Sequence, residues 1–338
     1  QRITSILILI TVLVKYSKQF DYEFGDREGD TEFHYLYISK GTRKAYIFGY
    51  DQDNPSDKYF RKHILGLDEI EGDSKESIYT ENLIKARKFF EKAVGFYLED
   101  ASNKVEALQF LFDKVTTGLR LNEYILPNEL DEYVVFETMN NRGKPLSQLE
   151  KLKNRLMYLI DKMSLSLDDK NELIKSVNTA WITIYQSLGA EKSAPLDDDD
   201  FIKAYWIMYF GQYDRSESNV YAQHLFNHYF TIERVYGNEL TALDILKYVK
   251  SLQKSSIYWN QIHYPKYFED ADDNVRIKIL GLHRVGFRAA FKPLVLAVLH
   301  NKDKFNLFDI CTRLEKFAFK VFHAADRQSN TGDSKLYR

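Results

Sequence analysis

A polar loop between two predicted helices carries the residues best placed for chemistry. It lies between Phe136 and Glu150 and reads FETMNNRGKPLSQLE. Gly143 suits the left-handed backbone that ends a helix, and Pro145 cannot simply continue one. Ser147 and Glu150 have the Ser-x-x-Glu spacing of a capping box. The spacing therefore predicts a helix, a tight turn and a second helix that begins near Ser147.

The start of this second helix is a candidate anion site. Backbone N–H groups and the helix dipole favour anions at a helix N-terminus. The loop places Asn140, Asn141, Arg142 and Lys144 around that point, which would suit a phosphate. The same spacing is also compatible with a polar turn that binds nothing, and the loop alone does not decide between the two interpretations.

Two other groups of polar residues are candidate metal sites. His224 and His228 have the i, i+4 spacing of zinc ligands, but neither a His-Glu-x-x-His motif nor a nearby cysteine completes a ligand set. Asp197 to Asp200 could bind magnesium, although acids before an apolar helix also suit its N-terminus, which is the interpretation we favour. The remaining histidines do not form an HNH-like nuclease arrangement.

A basic stretch in the C-terminal half is a third candidate. It consists of Arg276, Lys278, His283, Arg284, Arg288 and Lys292, interrupted by apolar residues. This pattern is compatible with a face that binds duplex DNA, and also with a helix pair whose charged side is simply solvated. We favour the solvated helix pair.

The elements that must position the loop are mostly helices. Ile3 to Phe20 is apolar nearly all round, which predicts a buried helix inside a domain, and its run of about a dozen apolar residues is too short for a membrane span. A short β-hairpin is predicted between about Phe33 and Tyr50, around Gly41. Beyond it the hydrophobic period is helical. Helices are predicted near 56–65, 80–98, 103–117, 130–140, 147–163, 168–188, 200–211, 217–235, 241–262, 272–284, 288–300 and 306–325.

Composition and charge limit the class of protein. The 338 residues are 44% hydrophobic and 28% charged, which is typical of a globular protein and not of a disordered one. The net charge of −2 requires any nucleic-acid contact to come from a local basic patch. Cys311 stands alone in an apolar pattern, which indicates a small packed hydrophobe and fits a reducing cytoplasm. We therefore expect a cytoplasmic protein that is not inserted in a membrane.

Two motifs of the chain resemble those of a known family. Phe136-x-x-x-Asn140-x-Arg142-Gly143-x-x-Leu146-Ser147 is similar to a motif of the ParB-like N-terminal domain of GmrSD-type restriction enzymes. Gln1-Arg2-Ile3-Thr4-Ser5-Ile6-Leu7 resembles the end of the family's D-G-Q-Q-R-L-T-T-L motif, whose first three residues have no counterpart here. Looser similarity extends across almost the whole chain.

The resemblance implies a nucleoside-triphosphate-hydrolysing sensor that acts against phage DNA carrying modifications and is joined to an HNH-type nuclease domain or subunit. It assigns Arg2, Asn140 and Arg142 to catalysis. Arg2 and Arg142 would clamp phosphate oxygens bidentately, and Asn140 would orient water or a metal-bound group. The residues that the resemblance places against the nucleotide, which it expects with Mg²⁺, are Gln1, Arg2, Phe136, Asn140, Arg142 and Gly143.

These inferences give one expected organisation. The chain should be mainly α, with a short β-hairpin, and should carry an N-terminally truncated ParB-like nucleotide domain over residues 1–190. Residues 191–338 should form the helical C-terminal part of the same module, with a boundary between Gly189 and Asp200. DNA, the nuclease and a further copy of the chain are the expected partners. The alternative is a helical assembly scaffold of a defence complex, without hydrolysis.

Overall fold

Helices make up most of the residues that the structure, a computed structural model, describes. These are residues 2–25, 30–40, 43–46, 56–66, 78–120, 135, 146–212, 220–328 and 331–332. The prediction of a mainly α protein is confirmed. The chain divides into two compact units, Gln1–Leu126 and Pro127–Arg338.

The described residues of the first unit form five helices and one strand pair. Its elements are α1 (Arg2–Gln19), α2 (Asp30–Tyr35), β1 (Tyr37–Lys40), β2 (Arg43–Tyr46), α3 (Asp57–Tyr59), α4 (Ile78–Glu99) and α5 (Lys104–Asp113). Wider π-helical turns continue α3 over Phe60–Ile64 and α5 over Lys114–Gly118. Asn103 caps α5 by accepting hydrogen bonds from two backbone N–H groups of its first turn.

Helix α1 lies inside the first unit, as its sequence predicts. Ile8 is 1% exposed and Leu13 is fully buried, and α1 packs against α4 and α5. At its surface-facing side, Lys15 forms an ion pair of 2.8 Å with Glu91 of α4. A helix with apolar residues on most sides is stable only when most of its surface is buried against the rest of the protein. The prediction of a buried helix is confirmed.

The strand pair is shorter than the predicted hairpin. β1 and β2 are antiparallel, with Tyr37 opposite Tyr46. The prediction that Phe33 begins a strand is wrong, because α2 continues to Tyr35. The Tyr35 ring packs edge-on against Phe112 of α5, with 5.7 Å between the ring centroids. This tertiary contact outweighs the strand propensity of Tyr35. Residues 47–50 lie outside the described part of the chain.

The second unit is entirely helical over its described residues. Its elements are α6 (Gln148–Lys162), α7 (Leu167–Leu188), α8 (Asp198–Phe210), α9 (Val220–Gln223), α10 (Ile232–Tyr236), α11 (Ala242–His263), α12 (Asp273–Arg284), α13 (Phe291–His300) and α14 (Leu307–Ala318), with a 3₁₀ turn at Pro265–Tyr267. π-helical turns continue α9 over His224–Tyr229 and α14 over Phe319–Ala324.

Helices α7 and α11 form the centre of the second unit. Gln253 of α11 donates a hydrogen bond to Thr183 at 2.9 Å, and Asn260 donates to the carbonyl of Ser187 at 2.7 Å. The later residue of α11 contacts the later residue of α7, so the two helices run parallel. The core around them is aromatic, with Trp181 and Trp259 almost fully buried.

The predicted boundary between Gly189 and Asp200 does not coincide with the division into units. The backbone N–H of Leu196 donates to the carbonyl of Leu188 at 2.9 Å, and Tyr264 and Lys266 hydrogen-bond the same segment at Ala194 and Glu191. Helices on both sides of the segment share one core. The polar composition therefore marks a fixed connection and not a linker between domains.

Candidate nucleotide site

The predicted site residues fall largely outside the described part of the chain. Arg2 is the first residue of α1, so its backbone is held by a buried helix. The structure describes no side-chain placement for Gln1, Arg2, Phe136, Asn140, Arg142 or Gly143. Their assignment to one nucleotide site stays a prediction. The described structure resumes at Leu146 and shows how the loop ends.

The helix start predicted at Ser147 is confirmed in detail. The Ser147 hydroxyl accepts a hydrogen bond from the backbone N–H of Glu150 at 3.2 Å, and the Glu150 carboxylate accepts one from the N–H of Ser147 at 2.9 Å. This reciprocal pair is a capping box. It fixes the first turn of α6, and behind it Leu149, Leu152 and Leu156 are fully buried.

Carboxylates of α8 occupy the start of α6. The Ser147 hydroxyl donates to Asp198 at 3.0 Å, and the backbone N–H of Gln148 donates to Asp199 at 2.7 Å. The expectation that an external phosphate would use these backbone groups is therefore wrong for Gln148, because its N–H already has an anionic partner within the protein. The chemical argument that this helix start favours an anion holds, but the anion is Asp199.

The run Asp197 to Asp200 caps α8, as the sequence predicts, and also contacts the start of α6. Asp197 caps α8 by accepting from the N–H groups of Asp199 and Asp200 at 2.9 and 2.8 Å, as predicted. The tertiary contacts of Asp198 and Asp199 were missed. They join positions 51 residues apart, and a single sequence carries no local signal for such a pairing.

Burial changes the acidity of these carboxyl groups. It raises the pKa of Asp198 to about 6, despite the hydrogen bond from Ser147, and the charges of Glu150 and Asp197 raise it further. Burial also raises the pKa of Asp199, against the hydrogen bond from the Gln148 N–H. The folded protein therefore binds a proton at Asp198 more tightly than the unfolded chain does.

Asp198→Asn should stabilise the protein at neutral pH. A raised pKa in the folded state means that ionised Asp198 costs stability above pH 6, and that this cost disappears as the pH falls toward 4. We expect the variant to be more stable by about 1–2 kcal/mol at pH 7.5, with the difference vanishing near pH 4. Urea denaturation at several pH values measures this.

Asp244→Asn is the matched control with the opposite sign. Hydrogen bonds from the Thr241 side chain and backbone lower the pKa of Asp244, so its charge stabilises the folded state at neutral pH and this contribution is lost as the pH falls. We expect this variant to be less stable than wild type at pH 7.5. If Asp198→Asn were also destabilising at pH 7.5, burial would not be the dominant effect on the pKa of Asp198.

His224 packs among aromatic side chains of the second unit. Its Nδ1 accepts a hydrogen bond from the Trp206 indole at 3.0 Å, and its ring packs edge-on against Phe210. Burial lowers its pKa, which keeps the ring neutral and able to accept. Among the described residues, no group of three or more His, Cys, Asp or Glu side chains could hold a metal ion.

The basic stretch of α12 and α13 mostly contacts the protein itself. Lys278 pairs with Glu315 at 2.9 Å, and Arg276 donates to Asp273 and to the carbonyl of Phe268. Arg288 stacks on the Phe322 ring and Lys292 on that of Trp259. These contacts agree with a structural role for Arg276, Lys278, Arg288 and Lys292.

Comparison with known proteins identifies the N-terminal part of the chain. Residues 1–157 match the family model described as GmrSD restriction endonuclease, N-terminal domain. The matched segment is a little less than half of the 338 residues, and it supports the similarity to GmrSD-type restriction enzymes that the two motifs indicate. No curated protein and no solved structure matches it.

The GmrSD match contains both motifs from which the family was inferred. It begins at Gln1, includes the loop from Phe136 to Ser147, and ends within α6. The matched segment therefore extends beyond the first compact unit and into the second. Within the described part of the chain, no helix is both long and apolar enough to cross a membrane.

Proposed function

We propose that this protein is the nucleoside-triphosphate-hydrolysing sensor module of an anti-phage, modification-dependent restriction system. It couples its nucleotide state to DNA cleavage by an HNH-type nuclease, which is either attached or a separate subunit. The observation that carries the proposal is the GmrSD match over residues 1–157, because this match includes both motif segments. Residues 191–338 serve as the helical C-terminal part of the same module.

The proposal gives each motif residue a role. Arg2 and Arg142 contact the phosphates, which guanidinium groups bind bidentately. Asn140 orients the attacking water or a group bound to Mg²⁺, and Gln1, Phe136 and Gly143 contact the nucleotide. Phosphoryl transfer depends mainly on positioning and on charge stabilisation, so two arginines and a polar side chain suit it.

The described structure supports this proposal at the two points where the motif segments join helices. Arg2 begins a helix whose following turns are buried in the first unit. The polar loop ends at Ser147, which is fixed by the capping box and by the hydrogen bond to Asp198.

The carboxylates at the start of α6 make the proposal more specific. Asp199 accepts the Gln148 N–H, and Asp198 and Glu150 add further negative charge nearby. A triphosphate is therefore expected to depend on the arginine side chains of the motifs more than on the backbone of α6. Mg²⁺ would be held chiefly by phosphate oxygens and water, as is usual for nucleotide enzymes.

Phosphate release by the full-length protein tests the proposal. The assay uses each of the four nucleoside triphosphates with Mg²⁺, in the absence and presence of modified and unmodified DNA. We expect release from at least one nucleotide and a change in its rate with modified DNA. No release and no nucleotide binding under any of these conditions would overturn the proposal and favour the non-catalytic assembly scaffold.

A further inference from the structure

One face of α4 presents aromatic side chains to solvent. Phe89 and Phe96 are 66% and 67% exposed, and Tyr97 beside them is 41% exposed. An exposed phenylalanine does not contribute the stabilising free energy that burial of its ring would give. The opposite face of α4 packs normally, with Val94 and Leu98 buried. One face of α4 therefore packs against the first unit, and a second apolar face is exposed to solvent.

The exposed apolar residues have the spacing of a helix-packing seam. Phe89, Ala93 and Phe96 stand at i, i+4 and i+7, which lie on one side of a helix. The two phenylalanines are about 10 Å apart along the helix axis, at 1.5 Å per residue. Such a seam fits the side of another helix better than a flat or irregular surface does.

Charges are arranged along this face so that it complements itself. The exposed lysines Lys85, Lys88 and Lys92 lie in its N-terminal part and middle, and the exposed acids Glu99 and Asp100 lie at its C-terminal end. A second copy of α4 can pack antiparallel to the first, related to it by a two-fold axis that passes between Lys92 and Ala93. In this arrangement, residues whose numbers add up to 185 lie opposite each other. Phe89 then lies opposite Phe96 of the second copy.

The same register pairs the charges. On a helical wheel of 100° per residue, Lys85, Lys88 and Glu99 share one flank of the seam. In the antiparallel pair, Glu99 of one copy falls between Lys85 and Lys88 of the other. On the opposite flank Tyr97 falls near Ala86 and Ala93, which leave room for its ring. Each of these contacts occurs twice, as an isologous interface requires.

We propose that the exposed face of α4 is a two-fold interface with a second copy of this chain. The Phe89 and Phe96 rings form its apolar centre, and the Lys85, Lys88 and Glu99 charges fix its antiparallel register. This inference does not depend on the proposed nucleotide chemistry. A single helix pair lies at the small end of stable interfaces, so the dimer should be reversible and concentration-dependent.

A polyanion such as nucleic acid fits this face less well. Glu99 and Asp100 close the lysine row with negative charge, which repels phosphates. Lys85 also forms an ion pair with Glu81 at 3.1 Å, so its charge is partly balanced within the helix. The apolar seam has no counterpart on a phosphate backbone, whereas a second copy offers the same seam.

A charge-swap experiment on the full-length protein tests the interface. One variant carries Lys85→Glu and Lys88→Glu, and the other carries Glu99→Lys; all of these positions are exposed. Analytical ultracentrifugation over a range of concentrations should show at least a tenfold weaker dimer for each variant alone. Their mixture should restore dimers, because both charge contacts reform in the mixed pair. Weak homodimers without restoration in the mixture would contradict the antiparallel register.

Two further variants separate the proposed dimer from other uses of the face. Phe89→Ala with Phe96→Ala should abolish self-association while circular dichroism shows an intact fold. Lys92→Ala should strengthen the dimer, because Lys92 lies next to the two-fold axis and meets its own copy. A protein that stays monomeric at all concentrations overturns the proposal. So does binding of a short single-stranded DNA that is weakened by Lys92→Ala, since the face would then belong to nucleic acid.

Discussion

In the full-length protein, Arg142→Ala should lower nucleotide hydrolysis at least about 100-fold, which is the scale of losing one group that stabilises transition-state charge. The guanidinium is proposed to bind phosphate oxygens, and no other residue of the loop can replace a bidentate contact. Thermal unfolding should be nearly unchanged, because the role proposed for Arg142 is in binding the nucleotide and not in packing the core. Phosphate release and a melting curve measure both quantities on the same sample.

Arg313→Ala is the matched control. Arg313 is an exposed arginine of α14, outside both family motifs. Its replacement should alter neither hydrolysis nor melting temperature. If Arg142→Ala instead lowers the melting temperature by many degrees and leaves hydrolysis intact, Arg142 connects structural elements, and the nucleotide site lies elsewhere.

Leu13→Ala should lower the free energy of unfolding strongly. Leu13 is fully buried in α1, in a cluster with Val94 and Leu108. Removing a buried leucine side chain loses its transfer free energy and leaves a cavity, which together cost about 2–5 kcal/mol. Urea denaturation should show this loss. Hydrolysis should fall as well when the fraction of folded protein falls.

Ile3→Ala on the same helix is the control for this substitution. Ile3 is 52% exposed and stands next to Arg2, so its replacement should cost less than about 0.5 kcal/mol, as is usual for surface positions. Equal losses for the two variants would mean that α1 is not seated in the unit as the structure has it. The account of how Arg2 is positioned would then fail.

Local signals in the sequence predicted local structure correctly. The Ser-x-x-Glu spacing gave the capping box at Ser147, and the all-round apolar pattern gave the burial of α1. Both depend on residues within a few positions of each other, and the backbone geometry fixes which of them can interact. The single cysteine was also predicted correctly, since Cys311 is fully buried.

Contacts between distant segments could not be predicted in the same way. Asp199 reaches the start of α6 across 51 residues, and no local pattern distinguishes this from an ordinary helix cap. Phe33 and Tyr35 are strand-forming residue types, but α2 continues to Tyr35, whose ring packs against Phe112 of α5. Tertiary packing overrides propensity at such positions. The site residues of the two motifs were inferred from resemblance, and their side-chain geometry lies outside the described residues.

Nucleotide binding by a double arginine variant tests whether both motif arginines contact the nucleotide. The measurement is the dissociation constant of a fluorescent nucleoside triphosphate for the full-length wild type and for the double variant Arg2→Ala/Arg142→Ala. The matched control is Arg120→Ala/Arg313→Ala, which removes one exposed arginine from each compact unit. We expect the motif variant to bind at least about 100-fold more weakly, the loss from two charge-assisted contacts, and the control to bind as wild type does. Equal affinity of all three proteins would contradict the account.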